Sequence, residues 1–124
     1  MANTDLTLKN SGSKVLKLSC EPLDIVRIGF VGVGARGQFA VERMMNIEGV
    51  KIVALCDFID TNLEASCAIV AKYGGEKPIT LQGEEGWKSL CERDDIDLIY
   101  ICTDWVSHAN IAIHALNHGK HAAL

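Results

Sequence analysis

The sequence predicts an α/β fold, a doubly wound parallel sheet of five strands in the order 3-2-1-4-5 with helices on both faces. Short apolar runs alternate with stretches of helical periodicity from residue 25 to residue 124. The apolar runs show no polar alternation, which is typical of strands that are buried on both faces. A helix between consecutive strands makes those strands parallel, and right-handed crossovers distribute the helices over both faces.

Five strands and four helices are predicted in strict alternation. The first, second and fourth strands contain the nearly all-apolar runs IGFV, IVAL and LIYI. The predicted strands are Val26–Val31, Lys51–Cys56, Ile79–Leu81, Leu98–Cys102 and His121–Leu124. The predicted helices, which have helical periodicity, are Gln38–Asn46, Asn62–Tyr73, Glu85–Cys91 and Ser107–His118.

Local signals indicate where two of the helices begin or end. Thr61 and Glu64 have the spacing of a capping box, which predicts the start of the second helix. Gly74-Gly75 follows that helix and Gly119 follows the fourth, where glycine readily adopts the positive φ angle that ends a helix.

The composition excludes several classes of protein. A chain of 124 residues that is 48% hydrophobic and 23% charged is long enough for one ordinary domain and too short for a two-domain enzyme. Twelve basic and 16 acidic residues give a net charge of −4 at pH 7, which disfavours nucleic acid as a partner. No apolar run reaches the roughly 18 to 20 residues of a membrane span, so no membrane association is expected.

The N-terminal segment and the cysteines indicate a cytoplasmic protein. Residues 1–24 lack periodicity and are predicted to form a flexible arm before a domain at 25–124. The start of this arm is polar and lacks the apolar core of a secretory signal. The chain has five cysteines, an odd number, and none has zinc-ligand spacing. Free thiols in a reducing compartment are therefore expected.

The motif that indicates function is Gly-Val-Gly-Ala-Arg-Gly, which begins at Gly32 and stands between the first strand and the first helix. This G-x-G-x-x-G pattern in this context predicts a dinucleotide site. Gly32 permits a tight turn, Gly34 lets the backbone approach a pyrophosphate, and Gly37 lets the helix pack closely on the strand. The N–H groups at the N-terminus of the following helix would face the phosphates, and Ala35 is a further candidate for this cofactor site. Arg36 either contacts the phosphates or lies in solvent.

Asp57 follows the second strand and is the predicted partner of the adenosine ribose. It lies 20 residues after the last glycine of the motif, where a carboxylate can accept hydrogen bonds from the ribose hydroxyls. No Lys or Arg follows it immediately, so we expect NAD to be favoured over NADP. The alternative is an aspartate that only caps a turn.

The loop after the fourth strand supplies further candidates, because ligands of open α/β sheets bind at the carboxyl ends of the strands. Thr103 is predicted to contact the cofactor. Asp104 contacts the cofactor or caps the fourth helix, a role also open to Ser107. Trp105 shields a nicotinamide or packs on the helix, and His108 binds the cofactor or is structural.

No metal site is predicted. His114 and His118 are four residues apart on a helix and could bridge one metal ion, but the sequence shows no third ligand. Exposed positions on the helix explain them better.

These residues resemble a known family. The segments IGFVGVGARG, IVALCD, DIDLIYICT and HGKHAAL, with a histidine five residues after Thr103, look like the N-terminal domain of the Gfo/Idh/MocA family of NAD(P)-dependent oxidoreductases. The resemblance extends from about Arg27 to Leu124. It implies a Rossmann fold, a following α/β domain that holds the substrate and often mediates oligomers, and activity on sugars, inositols or related polyols.

Two departures from the family pattern affect what is expected. Thr103-Asp104 stands where the family usually has Thr-Pro, and Thr-Asp-Trp is more similar to the branch of glycoside hydrolase family 109. Enzymes of that branch use tightly held NAD to oxidise a sugar transiently, eliminate the glycoside, add water and reduce. The family's Glu-Lys-Pro motif would follow Leu124, so no catalytic residue is expected in this chain, and the chain alone is expected to be inactive.

The resemblance implies an oxidoreductase that transfers hydride between NAD(P) and a sugar or polyol. The full-length protein is expected to be a homo-oligomer. An NAD-dependent glycosidase of the family 109 type is one alternative. A non-enzymatic module that senses NAD is another, and a scaffold without nucleotide is a third.

Overall fold

The computed structural model describes residues 19–124, which contain five strands and four helices. The strands are β1 (Val26–Val31), β2 (Val50–Asp57), β3 (Ile79–Gln82), β4 (Leu98–Ile101) and β5 (His121–Ala123). The helices are α1 (Ala35–Met45), α2 (Asp60–Lys72), α3 (Gly83–Cys91) and α4 (Trp105–Asn117). Strands and helices alternate along the chain as the sequence predicts.

The strands form one parallel sheet in the order β3-β2-β1-β4-β5, which confirms the predicted order. In the register of the sheet, Val31 at the end of β1 lies beside Cys56 of β2 and beside Ile101 of β4. The loops that follow these three strands are therefore neighbours at the carboxyl edge of the sheet.

The helices enclose two separate hydrophobic cores, one on each face of the sheet. Phe30 of β1 packs in a cluster with residues of α1 and α2, among them Val41. Ile99 of β4 packs on the other face with residues of α3 and α4, among them Leu90 and Ile111. All five side chains are buried, which explains why the runs IGFV of β1 and LIYI of β4 have no polar alternation.

All four helices begin two or three residues before their predicted starts, at Ala35, Asp60, Gly83 and Trp105. Apolar periodicity shows only where a helix contacts the core, whereas the first turn of each helix projects above the sheet edge and contains polar residues or glycine.

The predicted capping box at Thr61 and Glu64 is wrong. Both residues lie inside α2, whose N-cap is Ile59, and no side chain bonds to the helix N-terminus as a cap. The carboxylate of Asp57 accepts a hydrogen bond from the N–H of Ile59 at 2.9 Å, which turns the chain into the helix earlier than predicted. A contact from the end of β2 therefore sets this start.

Other predicted helix boundaries are confirmed. Gly74 has φ +79° after α2, and Gly119 has φ +77° after α4, as expected for residues that end helices. Asp104 is the N-cap of α4 and accepts a hydrogen bond from the N–H of Ser107 at 3.1 Å. Asp104, not Ser107, therefore caps this helix.

The predicted N-terminal arm lies mostly outside the described residues. Residues 19–24 are described; they are exposed and belong to no helix or strand. The extent of the arm stays a prediction. Among residues 19–124, no helix combines the length and the apolar character that crossing a bilayer requires.

An ion pair ties the start of β1 to the residue before β4. The guanidinium of Arg27 donates to Asp97 Oδ1 from Nη2 at 2.8 Å and to Oδ2 from Nε at 3.0 Å. The backbone N–H of Arg27 also donates to Oδ2, at 2.9 Å. The hydrogen bonds from Arg27 hold the pKa of Asp97 below its ordinary value of 3.8.

We expect Asp97→Asn to lower the Tm at pH 7 by about 5 °C, because the bidentate pair and one backbone bond lose their charged acceptor. The folded pKa of Asp97 lies below the unfolded pKa, so this stabilisation is present above the unfolded pKa. It is lost as the pH falls through the folded pKa. Thermal unfolding of both proteins from pH 7 to pH 2 measures the difference in Tm. A difference that stays constant over this range would contradict the prediction.

Candidate functional site

Two clefts open at the carboxyl edge of the sheet, and Cys102 and Thr103 line both of them. The first has a volume of about 550 Å³ and is lined by Gly34 and Asp57, so we call it the Asp57 cleft. The second has a volume of about 640 Å³ and is lined by Arg36, so we call it the Arg36 cleft. The loop after β1 and the N-terminus of α1 thus lie between two hollows, each large enough for part of a ligand.

The first and last glycines of the motif are required by the fold itself. Gly32 has φ +88°, and a Cβ at this position would lie 2.6 Å from the carbonyl oxygen of Cys102. A Cβ on Gly37 would lie 2.2 Å from the carbonyl oxygen of Gly32. Real Cβ atoms do not approach other atoms so closely. Replacing Gly32 or Gly37 by any residue with a side chain would therefore force the backbone around the loop to move.

The middle glycine, Gly34, is not required by the fold. Its φ is −68°, and the nearest atom to a Cβ built there is Nδ2 of Asn62 at 3.9 Å. Gly34 lines the Asp57 cleft, so the space that a side chain would fill is open to a ligand. A glycine with ordinary backbone angles and free space around it indicates that something outside the fold must approach its backbone.

The N-terminus of α1 is free to bind an anion. Gly34 is the N-cap and has no side chain that could accept hydrogen bonds from the first N–H groups of the helix. The first turn of α1 has no acidic residue either. The first intrahelical bond runs from the N–H of Gln38 to the carbonyl oxygen of Gly34, at 2.8 Å. The preceding N–H groups and the helix dipole therefore favour a negatively charged group beside Gly34. These residues fit the pyrophosphate of a dinucleotide.

Asp57 connects the glycine loop to the turn after β2. Its Oδ2 accepts a hydrogen bond from the N–H of Val33 at 2.8 Å. Its Oδ1 accepts from the N–H of Ile59 at 2.9 Å and from Nδ2 of Asn62 at 3.4 Å. The carboxylate lines its cleft, and Oδ2 retains a second lone pair for a hydroxyl group. Asp57 can therefore both cap the turn after β2 and bind a ligand in its cleft.

The two clefts differ in charge. Three carboxylates line the Asp57 cleft, those of Asp57, Glu84 and Asp104, and no Lys or Arg is among its lining residues. Glu84 is paired with Lys88 at 3.1 Å. The Arg36 cleft is lined by two arginines and by no acidic side chain. A group carrying extra negative charge would therefore meet repulsion in the Asp57 cleft.

The loop after β4 forms a hydrogen-bonded network. The hydroxyl of Ser107 lies 2.7 Å from Oγ1 of Thr103 and 2.6 Å from Oδ1 of Asp104. Hydrogen bonds from Ser107 hold the pKa of Asp104 below its ordinary value. Nε2 of His108 lies 2.9 Å from the carbonyl oxygen of Thr103, to which it can only donate. Thr103 and His108 are thus held in place beside the clefts.

The alternative that Trp105 packs on the helix is wrong. The side chain is 90% exposed and lines the Arg36 cleft, as do Arg36 and His108. Leu124 lines the same cleft. The structure therefore brings the candidate residues that follow β1 and β4 together at the carboxyl edge of the sheet. It leaves the indole of Trp105 available to a ligand.

Cys56 and Cys102 line the clefts, and Cys91 is buried in the same core cluster as Cys56. Burial raises the pKa of Cys56 to about 12 and that of Cys91 to about 11. Burial also raises the pKa of Cys102. Because a thiolate is the reactive species, these raised pKa values disfavour a nucleophilic role for the three thiols.

Several residues that line the clefts were not predicted from the sequence. Gly83 and Trp87 belong to α3 and line the Asp57 cleft, and so does Phe58. Gly83 directly follows β3, so the same argument from the carboxyl ends of strands could have found it. Trp87 lies inside a helix and gives no such signal. The structure also places Glu92 beside His114 and His118, so Glu92 is a third possible metal ligand that the sequence did not indicate.

Residues 26–124 match the Gfo/Idh/MocA family, which is described as an oxidoreductase family with an NAD-binding Rossmann fold. Two relatives bear the names of glycosidases. The chain is 52% identical over 111 residues to glycosyl hydrolase family 109 protein 1 of Phocaeicola vulgatus, a match that covers 89% of this chain and 24% of the relative. It is 45% identical over 114 residues to an alpha-N-acetylgalactosaminidase of Bacteroides fragilis, with 92% and 27% covered.

A solved structure shares the fold. The myo-inositol dehydrogenase of Lactobacillus casei, in complex with NAD(H) and myo-inositol, superposes with a TM-score of 0.62 at 25% identity, over 79% of this chain and 27% of that one. The chain thus spans about a quarter of the length of the relatives it matches. Since the family match includes every strand and helix described above, the chain belongs to the Gfo/Idh/MocA oxidoreductase family and forms its NAD-binding Rossmann domain.

Proposed function

We propose that this chain binds the dinucleotide across both clefts, with the pyrophosphate beside Gly34 at the N-terminus of α1. The open space at Gly34 is the observation on which this proposal rests, because the fold does not require a glycine there. Asp57 then binds the adenosine ribose in its own cleft, and the nicotinamide half occupies the Arg36 cleft. The proposed cofactor residues are Gly32, Gly34, Ala35, Arg36, Gly37, Asp57, Thr103, Asp104, Trp105 and His108.

We propose further that the chain prefers NAD to NADP. The carboxylates of Asp57, Glu84 and Asp104 would repel a 2′-phosphate, and no cationic side chain lines that cleft to bind it. The lone pair that remains on Oδ2 of Asp57 can also accept a hydrogen bond from the 2′-hydroxyl of the ribose in NAD, which is phosphorylated in NADP.

For the full-length enzyme we propose an NAD-dependent glycosidase. Relatives with 45% and 52% identity bear glycosidase names, whereas the dehydrogenase structure is 25% identical. When bound, the cofactor would supply a hydride acceptor that returns its hydride within each catalytic cycle. The residues of this chain would hold the nicotinamide beside Trp105 and His108, and the sugar would be bound by other parts of the enzyme. This chain alone would therefore be inactive.

A dehydrogenase acting on a sugar or polyol is the second candidate, favoured by the structural similarity to an inositol dehydrogenase. We also propose that the full-length protein is a homo-oligomer and cytoplasmic. All five cysteines are free thiols, which supports a reducing compartment. The net charge of −4 argues against nucleic acid as a partner.

Calorimetric titration of this chain with NAD and with NADP tests the cofactor proposal. We expect NAD to bind with a dissociation constant at least about tenfold lower than that of NADP, a difference of about 1.4 kcal/mol. Equal affinities, or tighter binding of NADP, would contradict the proposed role of the carboxylates. No binding of either ligand would contradict the proposed site in this chain.

A second measurement on the full-length enzyme separates the two activities. A nitrophenyl glycoside of N-acetylgalactosamine is incubated with the NAD-loaded enzyme, and released nitrophenol and accumulated NADH are followed together. A glycosidase releases nitrophenol with no net NADH, because the hydride returns to the sugar. Accumulation of NADH with a free sugar or polyol would instead identify a dehydrogenase. Neither signal, despite NAD binding, would favour a sensing module.

A further inference from the structure

Glu92, His114 and His118 form a cluster, here called the Glu-His-His cluster, and none of the three lines either cleft. Glu92 is the C-cap residue of α3, and the two histidines lie at the last turn and the C-cap of α4. Helices that connect parallel strands run antiparallel to them, so their C-termini lie at the amino edge of the sheet. The cofactor clefts open at the opposite edge, and no role in the proposed function involves this cluster.

The three side chains are close enough to share one ion. Oε1 of Glu92 lies 3.0 Å from Nε2 of His114 and 3.7 Å from Nε2 of His118. All three donor atoms lie within 4.8 Å of one another. Zinc bonds of about 2.0 to 2.2 Å to nitrogen and oxygen place tetrahedral ligands roughly 3.3 to 3.6 Å apart, so small side-chain shifts would complete the geometry.

One ring nitrogen of His118 is available to a metal ion when the ring is neutral. Nδ1 of His118 lies 2.8 Å from the carbonyl oxygen of His114, which can only accept a hydrogen bond. Nδ1 therefore holds a proton, and in the neutral ring Nε2 is an acceptor. This acceptor faces another acceptor, Oε1 of Glu92, at 3.7 Å. A shared cation would satisfy both atoms.

The neighbouring residues hold the cluster in place. The ring of His114 lies edge-on to Trp87, with centroids 5.4 Å apart and planes at 88°. It also lies against the ring of His118, at 4.4 Å between centroids. The side chains of Glu92, His114 and His118 are 49%, 25% and 38% exposed, so a metal ion has access from solvent and a water molecule can fill its fourth position.

We propose that the Glu-His-His cluster is a zinc site that ties the C-terminal ends of α3 and α4 together. Two imidazoles and one carboxylate are ligands that zinc commonly binds, and they leave one position open. The ion would crosslink α3 and α4 of the folded state and so stabilise the domain. The site does not depend on cofactor binding, so its test is independent of the test of the proposed function.

Calorimetric titration of the reduced chain with Zn²⁺ tests this site. We expect one ion per chain with a dissociation constant of about 10 μM or lower. His114→Ala, His118→Ala and Glu92→Gln should each weaken binding by at least about tenfold. Zinc should raise the Tm of the unmodified chain by about 5 °C and leave the Tm of these variants unchanged. Circular dichroism shows whether each variant is folded.

His121→Ala is the matched control, because it removes a histidine that is not part of the cluster. It should bind Zn²⁺ as the unmodified chain does. Co²⁺ identifies the ligand type, since thiolates give an intense near-ultraviolet charge-transfer band and imidazoles do not. No zinc binding, equal binding by all three folded cluster variants, loss of binding in the control, or a thiolate band would each overturn the proposal.

Discussion

Replacing Gly34 by valine is expected to abolish NAD binding while the domain stays folded. The Cβ at this position would meet no protein atom closer than 3.9 Å, so the fold accepts a side chain there. The same side chain would occupy the space beside the N-terminus of α1, where we place the pyrophosphate. We expect the affinity for NAD to fall by at least about 100-fold, which corresponds to about 2.7 kcal/mol. The free energy of unfolding should change by less than about 1 kcal/mol.

Gly37→Ala is the matched comparison within the same loop. Its Cβ would lie 2.2 Å from the carbonyl oxygen of Gly32, so the loop and α1 must move apart. We expect this variant to lose about 3 kcal/mol of stability, measured by urea denaturation. If Gly34→Val binds NAD normally by calorimetry, or if it unfolds as readily as Gly37→Ala, the assignment of Gly34 to the ligand is wrong.

Replacing Asp57 by alanine is expected to weaken NAD binding and to remove the preference over NADP. The carboxylate accepts hydrogen bonds from the N–H groups of Val33 and Ile59, so it both shapes the glycine loop and faces the ribose. Losing a charged acceptor for the ribose should reduce the affinity for NAD by about 10- to 100-fold. Leaving the N–H of Val33 without its acceptor should cost about 1 to 2 kcal/mol of stability.

Glu84→Gln is the control for this prediction. Glu84 lines the same cleft but contributes no hydrogen bond to the glycine loop, and it is paired with Lys88. Glu84→Gln removes one negative charge from the cleft, so it should raise the affinity for NADP modestly and leave the affinity for NAD unchanged. Calorimetry with both ligands on both variants measures this. An Asp57→Ala variant that keeps the full preference for NAD would refute the role of Asp57, and the cleft's other carboxylates would then explain the preference.

The strands and helices could be predicted because each depends on a local pattern, and the glycine-rich motif implied the strand order of a dinucleotide-binding fold. Runs such as IGFV and LIYI are apolar at nearly every position because both faces of the sheet are covered, as the two separate cores show. The starts of the helices could not be predicted as well. The first turn of α2 is set by Asp57, which bonds to the N–H of Ile59 from the end of a strand.

The cofactor motif could be recognised from spacing, but the roles of its three glycines differ in a way that only the folded chain shows. Gly32 and Gly37 are confined by carbonyl oxygens, one of which belongs to the distant residue Cys102. Gly34 has free space. No pattern along the chain distinguishes a glycine that the fold requires from one that a ligand requires, because the atoms that decide lie on other elements.

The sequence by itself determined the fold class, the strand order and the edge at which a nucleotide would bind, because hydrophobic periodicity and the glycine-rich motif of a dinucleotide-binding fold are local patterns. Only the tertiary structure decided which side chains meet across elements. It exposed Trp105 at the Arg36 cleft, brought two further carboxylates into the Asp57 cleft, and placed Glu92 beside two histidines that lie more than twenty residues later in the chain. These contacts depend on how helices pack on the sheet, and that packing brings together residues that no local pattern relates.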